Sequence, residues 1–145
     1  MRLLIQRVNS AQVLASGRSV GKINEGLFVL VGFRKGDDTS SVDKLSEKLI
    51  KLRIMSDEYQ RMNKTVNDVG GKFLIVSQFT LYANTKDGNR PSFLESQEPE
   101  KALVLYNYFV EKMRYFKAKV ETGIFGEYMN IKLDLDGPVT IALET

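Results

Sequence analysis

A polar cluster at the end of an apolar segment is the part of this sequence best suited to chemistry. The segment 73–76 (Phe-Leu-Ile-Val) follows a glycine pair and predicts a buried strand. Ser77, Gln78 and Thr80 then bring polar side chains, while Phe79 continues the apolar pattern. Burying an unpaired amide or hydroxyl costs roughly 1–3 kcal/mol, so these groups need partners. They satisfy a neighbouring loop or they form a ligand site at a strand end, and spacing alone favours the loop.

If the strand continues through this cluster, side-chain alternation decides which groups lie together. Ser77, Phe79 and Leu81 would share one face, and Gln78 and Thr80 would lie on the other. The sequence therefore predicts an amide and a hydroxyl on the same face of the strand.

The residue types that are missing limit the chemistry further. The chain has no Cys and no His, which excludes a thiolate nucleophile, a Ser-His-Asp triad, an imidazole base and a His/Cys zinc site. The spacing of the acidic residues does not resemble a calcium loop. We therefore expect no metal and no cofactor. An enzyme with this composition would use carboxylates, Lys, Tyr, hydroxyls, backbone amides or the substrate itself.

Two further features allow a functional interpretation beside an ordinary one. Arg7 lies among apolar residues of the first predicted strand, where a guanidinium is costly to bury without an acceptor. An edge position with Arg7 in solvent is the simpler interpretation.

Gly137-Pro138 interrupts the last apolar region, and its local sequence is typical of a turn. X-Pro bonds are nevertheless where cis peptides occur, in roughly 5–6% of cases, and a cis bond would present a rigid wall of backbone.

The elements that must position these residues follow from periodicity. Helical spacing of apolar residues predicts one helix over 42–52 and a second from Pro99 to about Phe116. A Ser-Gly pair predicts a hairpin turn at 16–18, and a long polar loop carrying Arg90 covers 84–93. Short apolar or alternating runs predict the strands, which cover Arg2–Val8, Ala11–Ala15, 19–23, Leu27–Phe33, 53–57, the central run 72–83, Asn130–Leu135 and Val139–Leu143; Glu58–Val69 and Val120–Met129 read as loops.

Composition is that of an ordinary globular chain. The 145 residues are 43% apolar and 27% charged, with a net charge of +3. That length predicts one domain, residues 1–145, with an α+β fold in which a mainly antiparallel, barrel-like sheet carries two amphipathic helices. The slight basic excess permits an acidic partner such as RNA without requiring one. No run reaches transmembrane length, and the lack of Cys fits a cytoplasmic protein.

The residues described above resemble the D-aminoacyl-tRNA deacylase family over essentially the whole chain. Two family signatures, Ser-Gln-x-Thr-Leu and Asn-x-Gly-Pro-x-Thr, carry most of the resemblance. The first is matched in full from Ser77 to Leu81. The second is matched at 137–140, but Leu135 stands where the family has Asn.

The resemblance implies a specific reaction and assembly. Members are homodimeric hydrolases that cleave the ester joining a D-amino acid, or glycine, to the 3′ end of tRNA. Gly137-Pro138 would form a cis element inserted into the partner's active site, where its carbonyls leave no room for an L side chain. Arg7 would hold that element in place. Arg90 and Phe125 would contact the 3′ end of the tRNA.

The catalytic roles follow from the resemblance together with the missing His. The catalytic group would comprise Ser77, Gln78, Phe79 and Thr80. Thr80 is a weak nucleophile without a base. We therefore favour an oxyanion hole made by the N–H groups of Phe79 and Thr80, with the ribose 2′-hydroxyl helping to activate water. Oxyanion donors contribute about 10²–10³ in rate.

Two other classes of function remain open from the sequence. A trimeric ligand-binding or imine-hydrolysing protein would place its site between subunits and bind a carboxylate through a central Arg. A non-catalytic RNA-binding module would show clustered basic and aromatic residues, which this sequence lacks.

Overall fold

A single long strand is the element to which most of the sheet is attached. In the computed structural model, which describes residues 1–86 and 88–145, β1 extends without interruption from Arg2 to Ala15. The prediction of two separate strands, Arg2–Val8 and Ala11–Ala15, is therefore wrong. The chain does not turn between them; it accommodates one extra residue, Asn9, as a bulge against its neighbour.

The remaining elements agree in number and type with most of the sequence predictions. They are β2 (Arg18–Ile23), β3 (Gly26–Gly32), α1 (Thr39–Ile50), β4 (Met55–Ser56), β5 (Met62–Lys64), β6 (Lys72–Ser77), a 3₁₀ turn (Phe79–Tyr82), α2 (Pro99–Tyr115), β7 (Val120–Thr122) and β8 (Met129–Glu144). The predicted loops 58–69 and 120–129 each contain a short strand, β5 and β7. The predicted loop 84–93 includes Asp87, which lies outside the described residues.

The sheet is mixed, with β1 inside it. On one edge β1 pairs antiparallel with β8; on the other edge its first half pairs with β3 and its second half with β2. β6 and β7 continue the sheet beyond β3 in parallel. β2 curls back over them, so closely that a side chain on Gly21 would lie 2.5 Å from the carbonyl oxygen of Thr122. This curvature makes the sheet barrel-like and confirms the predicted α+β architecture.

Two cores lie on the two faces of the curved sheet. Alternate residues of β3 and β6 point to opposite faces, and both faces are buried, which explains their continuous apolar sequences. The larger core lies between the sheet and the two helices, and the smaller core lies inside the curve. Leu3 and Ile5 belong to the first core but Val13 to the second, although all three are odd-numbered. The bulge at Asn9 produces this change of face.

The first helix begins three residues before the predicted start at 42, and the second begins at the predicted Pro99. Asp38 caps α1 by accepting a hydrogen bond from the backbone N–H of Ser41 at 3.1 Å. Pro99 opens α2, whose buried stripe consists of Leu105, Tyr106, Phe109, Val110 and Met113. No helix in the described part of the chain is both long and apolar enough to span a membrane.

The last strand contains the most irregular pairing in the sheet. Gln6 of β1 pairs with Thr140, and Val8 pairs with Leu135. The four residues 136–139 of β8 therefore oppose the single residue Arg7. The predicted break at Gly137-Pro138 is thus a bulge inside one long strand, held on both sides by pairing with β1.

Candidate active site

The polar cluster that follows β6 folds as a turn and does not continue the strand. The last sheet contact is the bond from the Gln78 N–H to the carbonyl of Val31, at 2.7 Å. The 3₁₀ turn Phe79–Tyr82 begins immediately afterwards. The predicted alternation, with Ser77, Phe79 and Leu81 opposite Gln78 and Thr80, is therefore wrong. The parallel partner β3 ends at Gly32, and the chain has no strand to pair with beyond that point.

Beside this turn lies a cavity with a volume of about 650 Å³. The ends of β3 and β6 form one wall, the start of α2 a second, and the segment leading into β8 a third. The lining residues are Val31, Gly32, Phe33, Val76, Ser77, Gln78, Phe79, Thr80, Gln97, Pro99, Ala102, Phe125, Gly126, Glu127, Tyr128, Met129 and Ile131. A mostly apolar cleft with a few convergent polar groups is typical of a small-ligand site.

The polar groups at the cavity come from the 3₁₀ turn and the residue before it. The Gln78 side-chain amide donates to the hydroxyl of Thr80, which is exposed to solvent. The first bonds within the turn are those donated by Leu81 and Ala83. The N–H groups of Phe79 and Thr80 precede them and have no acceptor within the turn. The arrangement therefore offers a hydroxyl, an amide and two backbone donors to a ligand.

Aromatic side chains shape the mouth and the floor of the cavity. Phe79 is 59% exposed and packs edge-on against Phe93, with ring centroids 5.0 Å apart. On the floor, Phe125 is half-buried and packs against Tyr106 at 5.8 Å. The Tyr106 hydroxyl donates to the carbonyl of Ile75 at 2.9 Å, and burial raises the pKa of Tyr106 to about 12. Tyr106 is thus a neutral structural support for the cavity floor.

Arg7 is buried and is not at a solvent-exposed edge. Only 7% of the residue is exposed. Its Nη1 donates to the carbonyl of Ile54 at 2.8 Å and lies 3.5 Å from the hydroxyl of Ser56. Its Nε lies 2.8 Å from Oδ2 of Asp136, in an ion pair whose N–H direction does not meet hydrogen-bond geometry. The simpler interpretation of Arg7 as a solvated edge residue is therefore wrong.

Gly137 and Pro138 are exposed and are joined by a cis peptide bond. A side chain on Gly137 would lie 3.5 Å from Nη2 of Arg7, so the guanidinium is directly beside this segment. The structure thus places Arg7 beside Gly137-Pro138. It does not bring either of them to the cavity of the same chain.

The other predicted site residues divide between the cavity and the surface. Ser77, Gln78, Phe79, Thr80 and Phe125 all line the cavity. Arg90 is exposed and is not among the lining residues. Sequence reasoning missed several residues that do line it, namely Gln97, Ala102, Glu127, Tyr128 and Met129. Their only sequence signal was proximity to a helix start or to the glycines at 123 and 126.

The described part of the chain contains no cluster of residues suited to bind a metal ion. Residues 1–86 and 88–145 contain no group of three or more His, Cys, Asp or Glu placed to hold an ion.

Comparison with known proteins gives one consistent result. The family model described as D-Tyr-tRNA(Tyr) deacylase matches residues 4–144. A D-aminoacyl-tRNA deacylase of Thermosipho melanesiensis is 50% identical, with 100% of this chain and 97% of the relative covered. One from Aquifex aeolicus is 49% identical, with 100% and 98% covered.

Solved structures agree on the fold. A structure described as c-Myc DNA Unwinding Element Binding Protein superposes with a TM-score of 0.94 at 35% identity, covering 100% of this chain and 99% of the other. A probable eukaryotic D-amino acid tRNA deacylase superposes with a TM-score of 0.86 at 16% identity, covering 99% and 98%. At that identity the second likeness shows the fold alone.

Proposed function

The chain belongs to the D-Tyr-tRNA(Tyr) deacylase family, and from this premise we propose that it hydrolyses the ester joining a D-amino acid, or glycine, to the 3′ end of tRNA. It is an enzyme of the D-aminoacyl-tRNA deacylase class, and its biological role would be to remove wrongly attached amino acids from tRNA in the cytoplasm. One observation carries the proposal. The family match covers residues 4–144, and within that match Ser77–Thr80 line the cavity beside the Phe79–Tyr82 turn.

The Phe79–Tyr82 turn would supply electrostatic catalysis. The N–H groups of Phe79 and Thr80 have no acceptor within the turn, so they are free to polarise an ester carbonyl as an oxyanion hole. Gln78 would orient the terminal ribose or adenosine, and Phe79 would shape the pocket around the amino acid. The Thr80 hydroxyl accepts a hydrogen bond from Gln78. Because the chain has no His, the 2′-hydroxyl of the ribose would help to activate the attacking water.

Rejection of L-amino acids would come from a second copy of the chain. Gly137 and Pro138 are exposed, project from β8 as part of a four-residue bulge, and are absent from the cavity of their own chain. In a homodimer this segment would enter the partner's cavity and present backbone carbonyls to the amino acid. A rigid backbone rejects the mirror-image substituent by collision and needs no pocket for the D side chain. Arg7, buried beside the segment, would fix its position.

The contacts of the 3′ end are proposed with the remaining residues. Phe125 lies on the cavity floor, where a base or ribose would pack. Arg90, exposed on the loop after the turn, would contact phosphate groups outside the cavity.

Hydrolysis of D-tyrosyl-tRNA and L-tyrosyl-tRNA by the purified protein, without added metal, tests the reaction and its stereochemistry together. We expect rapid loss of the D ester and negligible loss of the L ester over spontaneous hydrolysis. Equal loss of both esters would refute the Gly137-Pro138 filter, and no loss of either would refute the deacylase. Gel filtration of the same sample should give the mass of a dimer; a monomer with full stereoselectivity would contradict the shared site.

The variant Thr80→Ala separates the two mechanisms. If the oxyanion hole and the RNA hydroxyl carry catalysis, the variant should retain substantial turnover, because the backbone donors remain. Near-complete loss of kcat with unchanged tRNA binding would show instead that Thr80 is the nucleophile.

A further inference from the structure

We propose that Arg2 is a positioning residue for hydrolysis, holding the Phe79–Tyr82 turn at the working geometry; the inference rests on the proposed function. Arg2 does not line the cavity, so it would act through the turn and not on the substrate.

The sheet register places Arg2 under the turn. Arg2 pairs with Gly32 on β3 and with Glu144 on β8. Residues directly opposite one another lie on the same face of a sheet, so these three residues form a row across three adjacent strands. The central arginine therefore has a carboxylate on one side and an empty position on the other.

The empty position at Gly32 is occupied by the turn itself. A side chain on Gly32 would lie 2.9 Å from the carbonyl oxygen of Gln78 and 3.0 Å from Cβ of Leu81. Contacts this short are not tolerated against backbone, so only glycine lets the chain fold back here. The turn thus sits on the sheet face that Arg2 shares.

Arg2 makes three contacts that join the turn to the sheet. Its Nη1 donates to the carbonyl of Leu81 at 2.5 Å, and its Nη2 lies 2.8 Å from Oε1 of Glu144. Its guanidinium carbon lies 4.7 Å above the ring centroid of Tyr82, which is 4% exposed. A planar guanidinium can make all three contacts at once, whereas a lysine ammonium cannot.

The held carbonyl belongs to the residue that follows Thr80. The other anchors hold residues before Leu81. The hydroxyl of Ser96 donates to the carbonyl of Phe79 at 3.0 Å, and the N–H of Gln78 donates to the carbonyl of Val31. Among the described residues, Arg2 is therefore the side-chain anchor of the second half of the turn. A displacement of about 1 Å at a catalytic group can cost about 10²-fold in rate. Loss of Arg2 should accordingly reduce kcat without weakening tRNA binding.

The test compares Arg2→Met and Arg2→Lys with the wild type on D-tyrosyl-tRNA. For Arg2→Met we expect kcat to fall by about 10- to 100-fold with KM changed less than about threefold. Arg2→Lys should recover part of the lost kcat, because an ammonium still reaches one acceptor. Lys64→Met is the matched control: it removes an exposed pair with Glu58, 3.2 Å long, on β5, and should leave kcat unchanged. Circular dichroism melting confirms that each variant is folded at the assay temperature.

A further variant keeps the test decisive if Arg2→Met fails to fold. Glu144→Gln removes the charge that anchors Nη2 and leaves Arg2 in place, and should lower kcat by about threefold. If the wild type is active and these variants keep its kcat, the proposed function stands while the role of Arg2 is overturned. A rise in KM at constant kcat also overturns it, because it would indicate direct tRNA contact. A wild type that hydrolyses no D-tyrosyl-tRNA refutes the proposed function, and this inference with it.

Discussion

Two arginines on the same strand hold two different parts of the molecule by the same construction. Arg2 donates to the carbonyl of Leu81 and pairs with Glu144 of β8. Arg7 donates to the carbonyl of Ile54 and pairs with Asp136 of β8. Each arginine thus joins a loop carbonyl to a carboxylate of the last strand.

The two arginines differ in burial and in the segment they support. The Arg7 side chain is 9% exposed and lies beside the exposed bulge at 136–139, whereas the Arg2 side chain is 35% exposed and lies beside the Phe79–Tyr82 turn. Removing a buried charged donor leaves acceptors without water or partner, while a half-exposed one is replaced by solvent. We therefore expect loss of Arg7 to affect stability, and loss of Arg2 to affect turnover.

The largest effect should follow from Arg7→Ala. The change leaves the buried carbonyl of Ile54 without its donor, removes the ion pair with the half-exposed Asp136, and leaves a cavity beside β1. We expect the free energy of unfolding to fall by about 2–3 kcal/mol, measured by urea denaturation, together with a lower D-to-L selectivity. The half-exposed Arg2→Met should lose about 1 kcal/mol or less. Equal losses of unfolding free energy in Arg7→Ala and Arg2→Met would contradict the proposed difference between the two arginines.

A pair of glycine substitutions separates the two segments by function. Gly32→Ala would push against the carbonyl of Gln78 and displace the turn, so kcat should fall by about 10²-fold with D-to-L selectivity retained. Gly137→Ala, at φ +124° and with its new methyl 2.8 Å from the side chain of Val139, should lower the selectivity instead. Parallel kinetics on D- and L-tyrosyl-tRNA distinguish the two outcomes. The same change of selectivity in both variants would show that the segments do not act separately.

Acid should destabilise the loop between β4 and β5 through Asp57. The backbone N–H of Arg61, with further donors from Tyr59 and Asn63, holds the pKa of Asp57 below its ordinary value. Because the folded-state pKa is lower than the unfolded one, the stabilisation is fully present above about pH 4 and is lost as the pH falls further. Urea midpoints of the wild type and Asp57→Asn should therefore differ at pH 7 and converge below pH 4. If the difference between the two urea midpoints does not change with pH, ionisation of Asp57 does not contribute to stability.

The smallest effect concerns the ring under Arg2. The Tyr82 hydroxyl is buried and has no hydrogen-bond partner among the described residues, and burial raises its pKa to about 12. Tyr82→Phe keeps the ring and removes the unpaired group, so the free energy of unfolding should rise by up to about 1 kcal/mol. A loss of stability on urea denaturation would show that the hydroxyl has a partner in solution.

Local sequence patterns were sufficient for most elements. Both helices were predicted because their apolar residues recur at helical spacing, and Pro99 marked the start of α2 because it has no N–H to leave unpaired. The family was recognisable because Ser77–Leu81 and 137–140 match its two signatures, and the full-length match confirms it. These features depend on short stretches of chain, which a single sequence displays directly.

The errors arose where a distant segment determines the conformation. The Phe79–Tyr82 turn exists because β3 ends at Gly32, about fifty residues earlier, and a continuing strand would have no partner there. The burial of Arg7 depends on the carbonyl of Ile54 and on Asp136, which are far from it in sequence. Neither partner leaves a periodic signal around Arg7.

The sequence by itself determined the two helices, the strands of the core, the absence of His and Cys chemistry, and the family. Only the tertiary structure decided that β1 is one strand, that the polar cluster turns beside a cavity, and that Gly137-Pro138 lies outside the cavity of its own chain. Helix stripes and caps are set by neighbours within a few residues. Register, bulges and the partners of buried charges are set by strands that meet from remote parts of the chain, and the same residues take another conformation when those strands are absent.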